Sequence, residues 1–197
     1  MKHKGRDNSN VELKVAVRRA VASEIEHWRV LDLYCGSHGL MYREIWHQAE
    51  SYLGTDKDMP HALAPTLRIR AELASQHFDL DSFNVFDVDC YDSPWLIARR
   101  IVRRRGPGRF ALILTTGESR GLRSGSANEL IRSTLGLSKF SDLRLLDRYR
   151  YVVWGVMLRS LIESAAGVSC VKLVRGETGR FMQYYGLLLD KRADKGV

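Results

Sequence analysis

The stretch Val30-Leu31-Asp32-Leu33-Tyr34-Cys35-Gly36-Ser37-His38-Gly39 decides the fold of this chain. Its first half is a short apolar run, and two glycines follow where that run ends. Glycine lets the backbone turn sharply, and it lets a ligand approach where a Cβ atom would collide. The stretch therefore predicts a buried strand followed by a turn that can hold a ligand.

A second short strand, residues 51–56, follows a predicted helix and ends in Asp56. In nucleotide-binding α/β sheets, an acid at the end of the second strand hydrogen-bonds the ribose hydroxyls of the ligand. The full dinucleotide fingerprint G-x-G-x-x-G is absent, because only Gly36 and Gly39 are present. The pattern therefore predicts a nucleoside site without a pyrophosphate cradle.

The rest of the chain alternates helical and strand patterns. The predicted helices cover about 11–28, 94–105 and a stretch beginning near residue 147, and the further strands are 66–71, 83–88, 110–115, 168–174 and 181–189. This order predicts an α/β fold with a mostly parallel sheet of six or seven strands and helices on both faces. The short link between the last two strands requires a C-terminal antiparallel hairpin. Residues 117–145, with several glycines, predict a variable segment on the substrate side.

Length and composition indicate one domain over residues 1–197. No run approaches the roughly 20 apolar residues that span a bilayer, and the polar first ten residues lack the apolar core of a secretory signal. Cys35, Cys90 and Cys170 are widely separated, which is typical of reduced thiols rather than of disulfides or a zinc site. We therefore expect a cytoplasmic protein with no membrane contact and no metal.

The net charge of +8 reflects clustered basic residues. The cluster comprises Arg99, Arg100, Arg103, Arg104, Arg105 and Arg109, followed by Arg120 and Arg123. Phosphate contacts would explain the surplus, so we expect this segment to form a nucleic-acid face beside the active-site edge. A solvated helix face in a basic protein is the alternative explanation.

Two segments carry a resemblance to a known family. Asp32-Leu33-Tyr34-Cys35-Gly36 resembles motif I of class I S-adenosylmethionine-dependent methyltransferases, and Tyr52-Leu53-Gly54-Thr55-Asp56 resembles their second motif. The closing hairpin also resembles the reversed last strand of that family. The resemblance implies a Rossmann-like class I methyltransferase fold with S-adenosyl-L-methionine as cofactor. The alternative is a tight turn in another kind of α/β domain.

The same resemblance implies the cofactor-binding residues. The glycine turn of Gly36 and Gly39 would wrap the methionine portion, Asp32 would organise that end of the site, and Asp56 would bind the ribose. Tyr34, within the first motif, completes the expected set.

A third segment follows the predicted strand 83–88: Asp87-Val88-Asp89-Cys90-Tyr91-Asp92-Ser93-Pro94. It resembles Asp-Pro-Phe-Gly-Ser-Pro of tRNA guanine exocyclic-amino dimethyltransferases, with Cys90 in place of a proline and Asp92 in place of a glycine. Methyl transfer to an exocyclic amine needs an acceptor for the N–H and an aromatic face for the base. Asp89 and Tyr91 are the candidate catalytic residues for those roles.

Other roles remain open for this segment and its surroundings. Asp92 or Ser93 could instead cap the helix that starts at Pro94. Ser93, Arg120 and Arg123 are the candidate substrate-binding residues, because each follows the end of a predicted strand.

The sequence therefore predicts an S-adenosylmethionine-dependent methyltransferase that acts on nucleic acid, with a base exocyclic amine of RNA favoured over DNA. Methyl transfer to a small molecule or a protein is one alternative. A cofactor-binding or nucleic-acid-binding module without catalytic activity is the other, because the Asp-Cys-Tyr-Asp segment departs from the active pattern.

Overall fold

The computed structural model describes residues 10–36, 39–58, 65–90, 93–117, 122, 129–138, 143–178 and 182–193. Helices and strands alternate along most of that length. The α-helices are α1 Val11–Ala22, α2 Leu40–Glu44, α3 Ala71–His77, α4 Trp95–Arg104, α5 Glu129–Thr134 and α6 Arg150–Ile162. The strands are β1 Arg29–Asp32, β2 Ser51–Asp56, β3 Thr66–Arg68, β4 Val85–Asp89, β5 Gly108–Thr116, β6 Val168–Thr178 and β7 Met182–Lys191. Short 3₁₀ helices cover Trp46–Gln48, Leu80–Ser82 and Leu143–Tyr149.

The seven strands form one sheet in the order β3-β2-β1-β4-β5-β7-β6. The first five run parallel, and β7 is antiparallel to both β5 and β6. The predicted α/β architecture, with seven strands and a closing antiparallel hairpin, is confirmed. All carboxyl ends of β1 to β5 therefore meet at one edge of the sheet, called the carboxyl edge here, and their starts meet at the opposite amino edge.

Successive side chains of each strand point to opposite faces of the sheet, and different helices cover the two faces. In β4, Val85 packs in the cluster beneath α1 and α2, whereas Phe86 and Val88 pack in the larger cluster beneath α3, α4 and α6. Asp87 and Asp89 therefore share the face of Val85, toward α1. Two carboxylates of β4 lie beneath the N-terminal helix for this reason.

The helix α1 lies close against the C-terminal hairpin because two glycines leave room for it. A Cβ atom on Gly176 of β6 would stand 2.9 Å from Cδ1 of Leu13, and one on Gly186 of β7 would stand 3.0 Å from Cγ1 of Val21. A side chain at Gly176 would require the Leu13 side chain to shift, and one at Gly186 would press on the backbone oxygen of Val17, 3.1 Å away. These contacts hold the buried face of α1 over the middle of the sheet.

Several element bounds differ from the sequence pattern. The predicted helix 11–28 ends at Ala22, because the apolar residues beyond it pack from a turn: Trp28 Nε1 donates to the carbonyl oxygens of Ala22 and Ile25 at 2.7 and 3.0 Å. The helix expected from residue 147 begins at Arg150, after a 3₁₀ segment. The closing strands are longer than predicted, since β6 continues to Thr178. Among the described residues, no helix combines the length and apolar character needed to cross a membrane.

Candidate functional site

The strand order reverses between β1 and β4, and this is the point of the carboxyl edge where a ligand crevice is expected. The chain leaves β1 toward β2 and β3 on one side, and it returns to β4 on the other side. In open α/β sheets, ligands bind at the carboxyl edge at such a reversal of strand order. The motif residues after β1 and at the end of β4 both lie at this point, although more than fifty residues separate them.

The turn after β1 is bound directly to the acid at the end of β2. The backbone N–H of Gly36 donates to Oδ2 of Asp56 at 3.0 Å, and the N–H of Asp58 donates to Oδ1 at 3.0 Å. Gly36 and Gly39 have φ values of +67° and +53°, in the region that favours glycine. The glycine turn and Asp56 therefore lie side by side at the carboxyl edge.

Asp56 retains capacity for a ligand. A carboxylate has about four lone-pair directions, and two N–H donors occupy one on each oxygen. The side chain is half-buried at the strand end. The remaining lone pairs can accept hydrogen bonds from two neighbouring hydroxyls, which is the chemistry that a ribose requires.

Tyr34 and Cys35 have different roles beside this turn. The hydroxyl of Tyr34 donates to Oε1 of Glu72 at 3.3 Å, which ties the turn to α3. The thiol of Cys35 packs against Gly54, where an added Cβ atom would stand 3.0 Å from Sγ. Burial raises the pKa of Cys35 to about 12, so the thiol stays protonated and unreactive.

Three carboxylates gather beneath α1 at the carboxyl edge: Asp32 of β1 and Asp87 and Asp89 of β4. Asp32 accepts hydrogen bonds from the hydroxyl of Tyr52 at 3.0 Å and from the N–H of Tyr34 at 3.3 Å. Burial, together with the charge of Asp87, holds the pKa of Asp32 well above its usual range. Burial raises the pKa of Asp87 as well, although the positive charge of Arg18 opposes that effect.

Arg18 of α1 forms an ion pair with both carboxylate oxygens of Asp87. Its Nε donates to Oδ2 at 2.7 Å and its Nη2 donates to Oδ1 at 2.8 Å, and both side chains are fully buried. The indole N–H of Trp46 adds a third bond to Oδ2 at 2.8 Å. This bidentate geometry is the strong form of the arginine–carboxylate pair. It makes Asp87 a structural anchor for α1 rather than a group that meets a ligand.

Asp89 also has cationic partners. Lys14 Nζ donates to Oδ2 at 2.9 Å, and Arg18 Nη2 donates to the same oxygen at 3.2 Å. The side chain of Asp89 retains 16% of its exposure, against none for Asp87. Asp89 is therefore the member of the cluster nearest to solvent, and the two cations stand on one of its oxygens.

Of the remaining predicted site residues, the structure describes Ser93 alone. Ser93 lies next to the start of α4 with its hydroxyl buried and without a hydrogen-bond partner in the described part of the chain, and Pro94 stands at the N-cap. The alternative that Ser93 caps α4 is therefore wrong. Tyr91, Asp92, Arg120 and Arg123 lie outside the described residues, so their assigned roles stay predictions.

The arginine-rich segment lies elsewhere than expected. The helix α4 runs from the carboxyl edge to the amino edge, so Arg103 to Arg105 and Arg109 lie far from the crevice. The expectation that these residues adjoin the active-site edge is wrong for Arg103, Arg104, Arg105 and Arg109, because a helix between parallel strands must return the chain to the opposite edge. Its guanidinium groups contact protein: Arg99 binds Ser160 Oγ, Arg100 the Glu72 carbonyl, Arg103 the Ser164 carbonyl, Arg104 the carbonyls of Ser75 and Phe78, Arg105 the carboxylate of Asp81, and Arg109 that of Asp190.

Sequence reasoning missed Lys14, Arg18, Trp46 and Tyr52, which line the acidic cluster. One signal was available in α1. Lys14 and Arg18 stand four residues apart, and they share the buried helix face with Val17 and Val21. Charged residues on an apolar helix face are rarely buried without partners, so this spacing indicates carboxylates beneath the helix.

Comparisons with known proteins bear on the fold. Neither a protein-family model nor a curated protein matches the sequence. Among solved structures, a candidate hemolysin from Lactococcus lactis aligns with a TM-score of 0.59 and 14% identity, covering 96% of this chain and 90% of that one. N-methyltransferase NodS from Bradyrhizobium japonicum aligns with a TM-score of 0.55 and 11% identity, covering 94% and 99%.

A further solved structure contains a cofactor. Magnesium protoporphyrin IX methyltransferase from Synechocystis, with bound S-adenosylmethionine, aligns with a TM-score of 0.51 and 12% identity, covering 96% of this chain and 87% of that one. At such low identity these likenesses concern the fold alone. The chain has the fold of class I S-adenosylmethionine-dependent methyltransferases.

Proposed function

We propose that this protein is an S-adenosylmethionine-dependent methyltransferase. The observation that carries the proposal is the Gly36 turn, bound to Asp56 at 3.0 Å, beside the crevice where the strand order reverses. Glycines with positive φ leave room for the backbone to approach a ligand, and Asp56 retains lone pairs for ribose hydroxyls. These residues fit the nucleoside and methionine parts of the cofactor.

The bound cofactor would supply a methyl group on a positively charged sulfur. This chain would bind and orient it: Asp56 would hold the ribose, and the turn of Gly36 and Gly39 would enclose the methionine portion. Transfer of a methyl group requires the acceptor atom in line with the sulfur–carbon bond, so most of the rate enhancement comes from positioning.

For the acceptor we propose a base exocyclic amine, with RNA favoured. Asp89 stands at the end of β4, across the crevice from the Gly36 turn, and it is the most exposed carboxylate of the cluster. A carboxylate there can accept an N–H of the amine and stabilise the positive charge that develops on nitrogen. The net charge of +8 favours an anionic polymer, such as a nucleic acid, as the molecule that contains the methylated amine.

Isothermal calorimetry with S-adenosylhomocysteine tests the cofactor assignment, with NAD and ATP as controls. We expect saturable binding of S-adenosylhomocysteine alone. No binding at millimolar concentration would refute the proposal, since the product of the reaction should occupy the same crevice.

Methyl-labelled S-adenosylmethionine then tests the acceptor, with unmodified RNA transcripts, duplex DNA and free nucleosides as candidates. We expect label in RNA, and we expect RNA binding to weaken steeply as the salt concentration rises. A small-molecule acceptor is the second candidate, because the arginines of α4 contact protein groups rather than projecting as a free cationic face. Label in nucleosides but not in RNA would favour it.

A further inference from the structure

We propose that Lys14 and Arg18 of the N-terminal helix are positioning residues for Asp89, holding its carboxylate by Oδ2 so that Oδ1 accepts the N–H of the methyl acceptor. The inference rests on the proposed function. It adds a role for α1, which carries no part of the methyltransferase motifs.

The two contacts converge on one oxygen. Lys14 Nζ lies 2.9 Å from Oδ2 of Asp89, and Arg18 Nη2 lies 3.2 Å from the same atom. Donors from two residues on one oxygen restrict rotation of the carboxylate about its Cβ–Cγ bond. The other oxygen, Oδ1, is therefore held in one orientation. A fixed hydrogen-bond acceptor can orient the N–H of the methyl acceptor, and such positioning contributes to the rate of transfer.

The two cations differ in what else they hold. Arg18 is fully buried and is already bidentate to Asp87, so its contact with Asp89 is a shared one. Among the described residues, Lys14 contacts no other carboxylate, and its Nζ lies 5.8 Å from the centre of the Tyr184 ring. Of the two cations, Arg18 is shared between Asp87 and Asp89, whereas Lys14 pairs with Asp89. The side chain of Lys14 retains 8% of its exposure.

The charges in this cluster balance. Lys14 and Arg18 supply two positive charges, and Asp87 and Asp89 supply two negative ones. Asp32, whose pKa burial raises, adds none while it holds its proton. A buried cluster without net charge can persist, whereas removing one member leaves an uncompensated charge.

The charged and titratable groups around Asp89 are Lys14 and Arg18 on α1, Asp87 on β4 and Asp32 on β1. The hydroxyl of Thr115 on β5 also faces Asp89 and helps to lower its pKa. Burial by itself would raise the pKa of Asp89, but the positive charges of Arg18 and Lys14 outweigh that effect and lower it. Asp89 therefore stays ionised at the pH where an amine acceptor is unprotonated.

The test compares Lys14→Met with Lys14→Arg and with Arg19→Met, an exposed position on the same helix. Turnover is measured from pH 3 to 9, a range that extends below the ordinary carboxyl pKa of about 3.9, with methyl-labelled S-adenosylmethionine and unmodified RNA transcripts. Loss of a nearby opposite charge shifts a carboxyl pKa by about 1–3 units. We expect the acidic limb of the profile for Lys14→Met to move up by about one unit, and Lys14→Arg and Arg19→Met to keep the original limb.

A second measurement does not depend on activity. Carbon NMR follows the titration of the Asp89 carboxyl, assigned by its disappearance in Asp89→Asn. We expect Lys14→Met to raise that titration midpoint and to leave the affinity for S-adenosylhomocysteine within about threefold, since the latter change is under 1 kcal/mol. Should Lys14→Met not fold, Lys14→Gln removes the charge at similar length.

The outcomes separate the two proposals. If the Asp89 midpoint moves but the rate profile does not, the positioning role is refuted and the methyltransferase assignment stands. If neither moves, Lys14 does not act on Asp89 at all. If the natural chain does not bind S-adenosylhomocysteine, the proposed function fails by itself, and the NMR titration still reports on the contact. In an Asp89→Asn background, Lys14→Met should have no further effect on turnover.

Discussion

The two edges of the sheet use their basic residues in opposite ways. At the carboxyl edge, Lys14 and Arg18 are buried and contact carboxylates. At the amino edge, Arg103 and Arg104 are exposed and contact backbone carbonyls, as Arg104 does with Ser75 at 2.6 Å, whereas the buried Arg105 contacts the carboxylate of Asp81. Lys191 contributes to the same edge, donating to the carbonyls of Val102, Arg103 and Arg105 that end α4.

The difference shows that a run of positive charge in a sequence need not form a free cationic surface. Exposed guanidinium groups near helix ends satisfy carbonyl groups that lack helical partners, and each such contact stabilises the fold modestly. Two buried cations on a helix face imply paired carboxylates, and at a strand-end crevice those carboxylates can do chemistry. The buried pair of Lys14 and Arg18 is therefore more informative about the site than the arginine-rich segment is.

The largest effect should follow from Arg18→Met. It leaves Asp87 buried without its bidentate partner, and breaking a buried pair in this way costs about 3–5 kcal/mol. Urea unfolding followed by circular dichroism measures the loss. Arg19→Met, on the exposed side of α1, is the control and should change stability by less than about 0.5 kcal/mol. Adding Asp87→Asn to Arg18→Met should recover part of the loss; equal stability of the single and double variants would contradict the assigned pair.

Next in size is Asp56→Ala, which tests the cofactor side of the carboxyl edge. Hydrogen bonds to a charged group are each worth about 1.5–3 kcal/mol, so the affinity for S-adenosylhomocysteine should fall by more than tenfold. Calorimetry measures it. Asp58→Ala is the matched control, because Asp58 contributes only its backbone N–H to Asp56. Equal affinities for the two variants would remove Asp56 from the site.

Asp32→Asn tests whether Asp32 holds a proton in the folded protein. Burial raises the folded-state pKa of Asp32, so the stability from this group is fully present below its unfolded pKa of about 3.9. It is lost as the pH rises through the raised folded pKa, at about 1.4 kcal/mol for each unit between the two values. Urea unfolding between pH 5 and 8 should therefore show a smaller loss of stability with rising pH in Asp32→Asn. Parallel pH profiles for both proteins would show that Asp32 is ionised.

The smallest change is expected from Arg104→Met at the amino edge. It removes hydrogen bonds to the carbonyls of Ser75 and Phe78 at the end of α3, a loss of about 1 kcal/mol. Turnover and the salt dependence of RNA binding should not change, because this arginine lies at the edge opposite the crevice. A flatter salt dependence would instead return the α4 arginines to the nucleic-acid face.

Much of the fold could be predicted from local patterns. The strand and glycine turn of 30–39, the strand ending in Asp56 and the closing hairpin each have a strong local cause: apolar runs, glycine conformations and short links. The end of α1 and the start of α6 could not be predicted. Apolar spacing continues beyond α1 to Trp28, and it covers the 3₁₀ segment before Arg150, although the backbone in both places lacks α-helical hydrogen bonding. Apolar spacing reports which side chains are buried and does not report the backbone that carries them.

The sequence by itself determined the α/β fold class and the elements that meet at the crevice, because periodicity and turn chemistry act over a few neighbouring residues. Only the tertiary structure decided which carboxylates are ionised and which cations they have. Lys14 and Asp89 are 75 residues apart, and their contact depends on the glycines of β6 and β7 that let α1 approach the sheet. Electrostatic energies depend on distance in space and on burial, and neither can be read from position along the chain.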